Sequence, residues 1–135
     1  MTKIEDILQQ NGSFVCQTKG VSMQPLFKEG RDRVVIVPIK KRLKKYDVAL
    51  FKRGEEYVLH RVVKVKKSGY KFVGDNTLKS DFVSDKDVIG KAIGYFREEK
   101  YKKSLKNIFY VFYIRLRYYL ATLKRLKYKK KKNKR

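Results

Sequence analysis

The spacing of apolar residues changes twice along the chain, and each change predicts a different kind of element. In residues 3–10, Ile4, Ile7 and Leu8 recur at helical steps behind Thr2, a suitable N-cap, and Asn11-Gly12 offers a stop, so a helix of about two turns opens the chain. From there to Phe96 the runs are short and β-like: Ser13 to Gln17, Arg33 to Val37, Val48 to Lys52, Tyr57 to Val65, Tyr70 to Val73 and Val88 to Phe96. Gly, Pro, Asn and Asp separate these runs, as turns require. Tyr57 to Val65 and Tyr70 to Val73, joined through Lys67-Ser68-Gly69, read as a hairpin. Alternation then puts Val58, His60 and Val62 on one face and Leu59, Arg61 and Val63 on the other. The segment Gly74 to Asp81 reads as a turn beyond that hairpin.

After Glu99 the period becomes helical, with Leu105, Ile108, Phe109, Phe112, Leu116, Tyr119, Leu120, Leu123 and Leu126 at three- and four-residue steps. This predicts an amphipathic helix of about six turns, closed by KYKKKKNKR as a solvated basic tail. The fold class expected is therefore mainly β, with a short N-terminal helix and a long basic C-terminal helix. Residues 1–100 would form the β domain, and residues 101–135 the helix and polylysine tail.

Composition sharpens this picture. At 135 residues, 42% hydrophobic and 13% aromatic, the chain can bury one core, and wholesale disorder is excluded. Lys and Arg number 36 against 13 acidic residues, a net +23, which predicts attraction to anionic partners. Residues 101–135 hold 14 of those basic residues and no acidic one. An anionic membrane surface is one partner such a segment can meet, through Arg115, Arg117, Lys124, Arg125, Lys129 and Lys130, and the plain alternative is an amphipathic helix docked on the β core. A polybasic tail also binds nucleic acid without specificity, but nothing upstream resembles a base-reading module. The longest uncharged stretch of the helix, Asn107 to Ile114, is far below the ~20 residues a membrane span needs. The N-terminus has no secretory or anchor pattern, so the expected location is cytoplasmic or peripheral to a membrane. One cysteine and one histidine offer neither a disulfide nor a metal cage, and no cofactor is expected.

Three segments could carry chemistry. Gly20-Val21-Ser22-Met23-Gln24-Pro25-Leu26 combines a flexible glycine, a hydroxyl and a proline. Such a turn can present Ser22 with its own N–H free, as a nucleophile facing an oxyanion requires; on spacing alone it is simply a turn. His60 is the sole histidine, and so the sole side chain suited to proton shuttling near neutrality, although a lone histidine between valines is more often a packed structural residue. Asp75 and Asp81 follow the hairpin, where either could fold back to orient an imidazole; the plain alternative is an Asx turn.

Taken together, G-x-S-M-x-P, then L-H-R-V-V, then G-D-N-x-x-x-x-D, then I-G-K-A (Ile89 to Ala92) resembles the serine peptidase superfamily that contains type I signal peptidases and self-cleaving repressor peptidases. The resemblance covers about residues 18 to 94. His60 stands where the endoplasmic-reticulum type of signal peptidase has histidine and other branches have lysine. The resemblance implies a signal-peptidase-like β fold, with Ser22 as nucleophile, His60 as general base, and an orienting aspartate, first Asp81 and second Asp75. It implies an extended signal- or leader-type peptide substrate with small side chains near the cut, contacted by Gly20, Met23 and Pro25. The chain departs from the family's pattern at two Gly-Asp turns, here Gly30-Arg31-Asp32 and Tyr46-Asp47, and in lacking a visible N-terminal anchor. One rival stays within the fold: a processing peptidase that trims leaders or cleaves itself. Another is a catalytically silent β module that binds anionic lipid or nucleic acid through its tail.

Overall fold

The structure is a computed structural model that describes residues 3–77, 79–103, 105 and 108–133. In chain order its elements are α1 (Ile4–Asn11), β1 (Phe14–Gln17), β2 (Asp32–Pro38), β3 (Val48–Arg53), β4 (Glu56–Lys66), β5 (Gly69–Val73), β6 (Ser80–Ser84), a 3₁₀ turn (Asp85–Asp87), β7 (Val88–Arg97), β8 (Lys100–Lys102) and α2 (Ile108–Asn133). The strands form one antiparallel sheet in the order β1-β2-β7-β3-β4-β5-β6, with β8 added to β7. The protein is mainly β, with a short helix before the sheet and a longer helix after it. The chain divides into two compact units, Met1–Leu105 and Lys106–Arg135.

β3 explains how the first unit holds together. Its residues Val48 to Phe51 are all buried, which an alternating strand allows only when both faces of the sheet are covered. Val48 and Leu50 join one cluster with Ile36, Val34, Phe27, Met23 and Leu8. Ala49 and Phe51 join the other with Val62, Tyr70, Phe72 and Val83. α1 ends as its sequence requires, with Gly12 at φ 77° donating its N–H to the Leu8 carbonyl. The Tyr57 hydroxyl donates to Glu5 at 2.7 Å and ties this helix to β4. Thr2, the expected N-cap, lies outside the described residues; Lys3 precedes the first helical turn.

Two strands were not legible. Ser80–Ser84 is a strand rather than part of a turn, paired to β5 with Phe72 opposite Asp81. Its Ser and Asp residues have low β propensity, and the pairing comes from β5. Lys100–Lys102 folds back on Tyr95–Arg97 through Glu98 and Glu99, both at positive φ (52° and 66°), a conformation usually signalled by Asn or Gly. The β unit therefore runs past residue 100, and Leu105, expected on the helical stripe, is buried in the β core instead. The alternation expected for β4 holds as far as Val62 and is then interrupted by a bulge at Val63.

The turns at Gly30-Arg31-Asp32 and Tyr46-Asp47 are held by their aspartates. Asp32 accepts hydrogen bonds from Arg97, Arg31 and the Lys28 amide, and Asp47 accepts one from the Lys44 amide at 2.7 Å. Burial alone would raise the Asp32 carboxyl; the bonds from Arg97, the Lys28 amide and Arg31 outweigh it and hold the group below its usual value. Tyr46 sits at φ 76°, where a glycine would be unstrained.

α2 is longer than its period suggested, because much of the expected tail, through Asn133, is helical. Lysine is a good helix former, and nothing in KYKKKKN breaks the helix. Lys134 and Arg135 lie outside the described residues, as do the side chains of Ile108 and Phe109. No helix among the described residues is long and apolar enough to cross a membrane.

Candidate active site

Ser22 lies in the turn between β1 and β2, directly before buried Met23. Met23 anchors that turn from below: it packs in the first core cluster and its Sδ accepts the Asp75 N–H at 3.4 Å. Asn76 fastens it from the side, its N–H donating to the Ser22 carbonyl at 2.8 Å and its Nδ2 to the Val21 carbonyl at 3.0 Å. Gly20, at φ 74°, opens the turn with its N–H bound to Glu29. Among the described residues, the Ser22 N–H and Oγ make no hydrogen bond within the protein.

Gly74 brings serine and histidine together. A methyl group on its Cα would lie 2.6 Å from the Ser22 carbonyl oxygen and 3.0 Å from His60 Nε2. The serine turn and the imidazole therefore both crowd the space where a side chain at position 74 would stand, and a side chain there would displace them.

His60 projects from β4, only 6% exposed, with its ring edge-on to Phe51. Its Nε2 faces Gly74, while its buried Nδ1 has no hydrogen bond and lies 3.9 Å from Asp81 Oδ2. Burial pushes the imidazole below its ordinary value; Asp81 opposes that shift, Arg53 adds to it, and Asp75 weakly opposes it. His60 is thus neutral near pH 7, the form a general base needs.

The two candidate aspartates play different parts. Asp81 stands beside the imidazole but is shared with Arg53, whose Nη1 donates to the same Oδ2 at 3.1 Å. Asp75 is sealed in a bidentate pair with Arg61, at 2.8 and 3.0 Å, with side-chain exposures of 0% and 1%. Arg61 also donates to the Tyr46 and Leu105 carbonyls. Asp75 as the orienting carboxylate is corrected accordingly: its two oxygens are committed to a guanidinium on the opposite side of β4, where alternation puts position 61.

A cleft of about 1050 Å³ is lined by β1, residues 56–60 of β4, Leu50, Arg53, Lys79 and Asp81. Ser22, His60, Gly20 and Met23 all line it. Pro25, expected to contact substrate, is exposed and is not part of the lining; its carbonyl accepts from Arg31. Among the described residues β1 pairs with no strand but β2, which leaves its other edge without a strand partner, the kind of edge an extended chain can pair with.

Sequence reasoning missed Arg53 and the clamp by Asn76. Asn76 stood inside the quoted G-D-N segment, so a signal existed. Arg53 had none, since it matters only because β3 and β6 bring it to Asp81. Of the cations expected to meet anions, Arg115, Lys124, Arg125, Lys129 and Lys130 are exposed, whereas Arg117 is half-buried and already engaged. No family model matches the chain, and no curated protein matches it.

Proposed function

We propose that this chain is a serine endopeptidase of the signal-peptidase-like superfamily, acting on an extended leader- or signal-type peptide with small residues near the cut. One observation carries the reading: the serine turn and the Nε2 of a buried, neutral imidazole pack against the same glycine in a cleft that Ser22 and His60 both line, with a carboxylate behind Nδ1. Ser22 Oγ attacks the scissile carbonyl carbon as His60 Nε2 takes its proton. The Ser22 N–H is a donor for the resulting oxyanion. Collapse breaks the C–N bond, and His60 returns the proton to the leaving amine; water then attacks the acyl-serine by the same proton route. Asp81 stabilises the imidazolium while it lasts. The substrate backbone pairs with the free edge of β1 and enters the cleft alongside Phe14 and Leu59.

An internally quenched peptide library biased to Ala-Xaa-Ala, with products read by mass, tests this. The wild-type chain should cleave a subset, and Ser22→Ala and His60→Ala should each lose about a thousandfold or more. Cleavage that survives in Ser22→Ala would sink the proposal, and a wild-type chain that cleaves no member of the library would favour the silent module.

A further inference from the structure

α2 carries a surface that the cleft chemistry does not use. Phe112, Leu116, Tyr119, Leu120, Leu123 and Leu126 are exposed by 37–69%. At 3.6 residues per turn they fall within an arc of about 120° and run about 21 Å along the helix. Arg115 flanks one edge of that stripe and Lys124 the other, Lys127 stands at its border, and Lys130 continues its line; all four are exposed. No acidic residue occurs after Glu99.

We infer that α2 lies flat on an anionic phospholipid surface, its apolar stripe entering the headgroup–acyl boundary and its flanking cations reaching lipid phosphates. An open stripe of large apolar groups calls for a cover, and the charge around it selects the cover. Two copies of α2 zipped along their stripes would bring basic flanks together with no acid to offset them. Nucleic acid would take the cations and leave the leucines wet. An anionic bilayer satisfies both, since long basic side chains can extend from the helix flanks to the headgroups. Neither Ser22 nor His60 takes part, so this inference does not depend on the peptidase reading.

The test uses the full chain and sedimentation with two vesicle types, phosphatidylcholine alone and phosphatidylcholine with about a quarter phosphatidylglycerol. The protein should bind the second at least about tenfold more tightly, and less so as salt rises. Joint Leu116→Ser, Leu120→Ser and Leu123→Ser changes should weaken binding by about tenfold or more with the β-sheet circular dichroism unchanged. Joint Arg115→Gln, Lys124→Gln, Lys127→Gln and Lys130→Gln changes leave the stripe intact and should sharply reduce the preference for phosphatidylglycerol. Equal binding of both vesicle types by the wild-type chain overturns the inference, as does undiminished vesicle binding by the serine variant. A dimer in vesicle-free solution that the serine changes dissolve also overturns it, as does oligonucleotide binding in the absence of any vesicle binding.

Discussion

A neutral imidazole at His60 has a measurable pH signature. Its folded value lies below the ordinary 6.5 because burial outweighs Asp81. The unfolded chain therefore takes up that proton first, and the stability present above pH 6.5 is lost as pH falls through the folded value. Urea midpoints between pH 5 and 7 should show this slope, and His60→Gln should flatten it. In kcat/KM the acid limb should have its midpoint below 6.5. Arg53→Gln removes a cation that depresses the imidazole and competes for Asp81, so that midpoint should move up; an unmoved limb would show that Arg53 does not act through His60. Gly74→Ala should cost about a hundredfold in kcat, because a displacement of about 1 Å between reacting groups suffices for that. Its unfolding free energy should fall by only about 1–3 kcal/mol, the range for overpacking. An unchanged kcat in Gly74→Ala would mean that the glycine does not set the spacing.

At the scale of elements, the Arg61–Asp75 pair fastens the turn after β5 onto β4 and so holds Gly74 and Asn76 against the serine turn. Asp75→Asn or Arg61→Met leaves one fully buried charge without its partner and should cost about 3–5 kcal/mol by denaturant unfolding. The double variant should recover part of that loss, since neither charge is then stranded. Legibility at this scale varied with how local the signal was. The β4–β5 hairpin could be read from its own residues, and so could the faces of His60 and Arg61, because alternation is a local rule. β6 and β8 could not, because Ser80, Asp81 and Ser84 in the one and Lys100 and Lys102 in the other become strand there by pairing with β5 and β7. Asp81, expected in a turn, projects from a strand, its Oδ2 3.9 Å from His60 Nδ1.

For the whole molecule, the boundary between its two units is the quantity to test. A chain ending at Leu105 keeps β8, the buried Leu105 side chain and the carbonyl that Arg61 binds. It should unfold cooperatively near the full-length midpoint and retain peptide cleavage. A chain ending at Lys100 loses all three and should unfold at a clearly lower midpoint in the same thermal scan. Equal midpoints for the two would refute the assignment of residues 101–105 to the β unit.

The sequence alone determined the mainly β architecture and the flanking helices, because periodicity and turn chemistry are written in neighbouring residues; Ser22, His60 and Asp81 stood out only through a resemblance. Only the tertiary structure decided that Asp75 belongs to Arg61, that Arg53 shares Asp81, and that Gly74 is the contact between serine turn and imidazole. Those are matters of which strand lies beside which. Distance between groups 14 to 52 residues apart is set by sheet order and packing, and no local pattern encodes it.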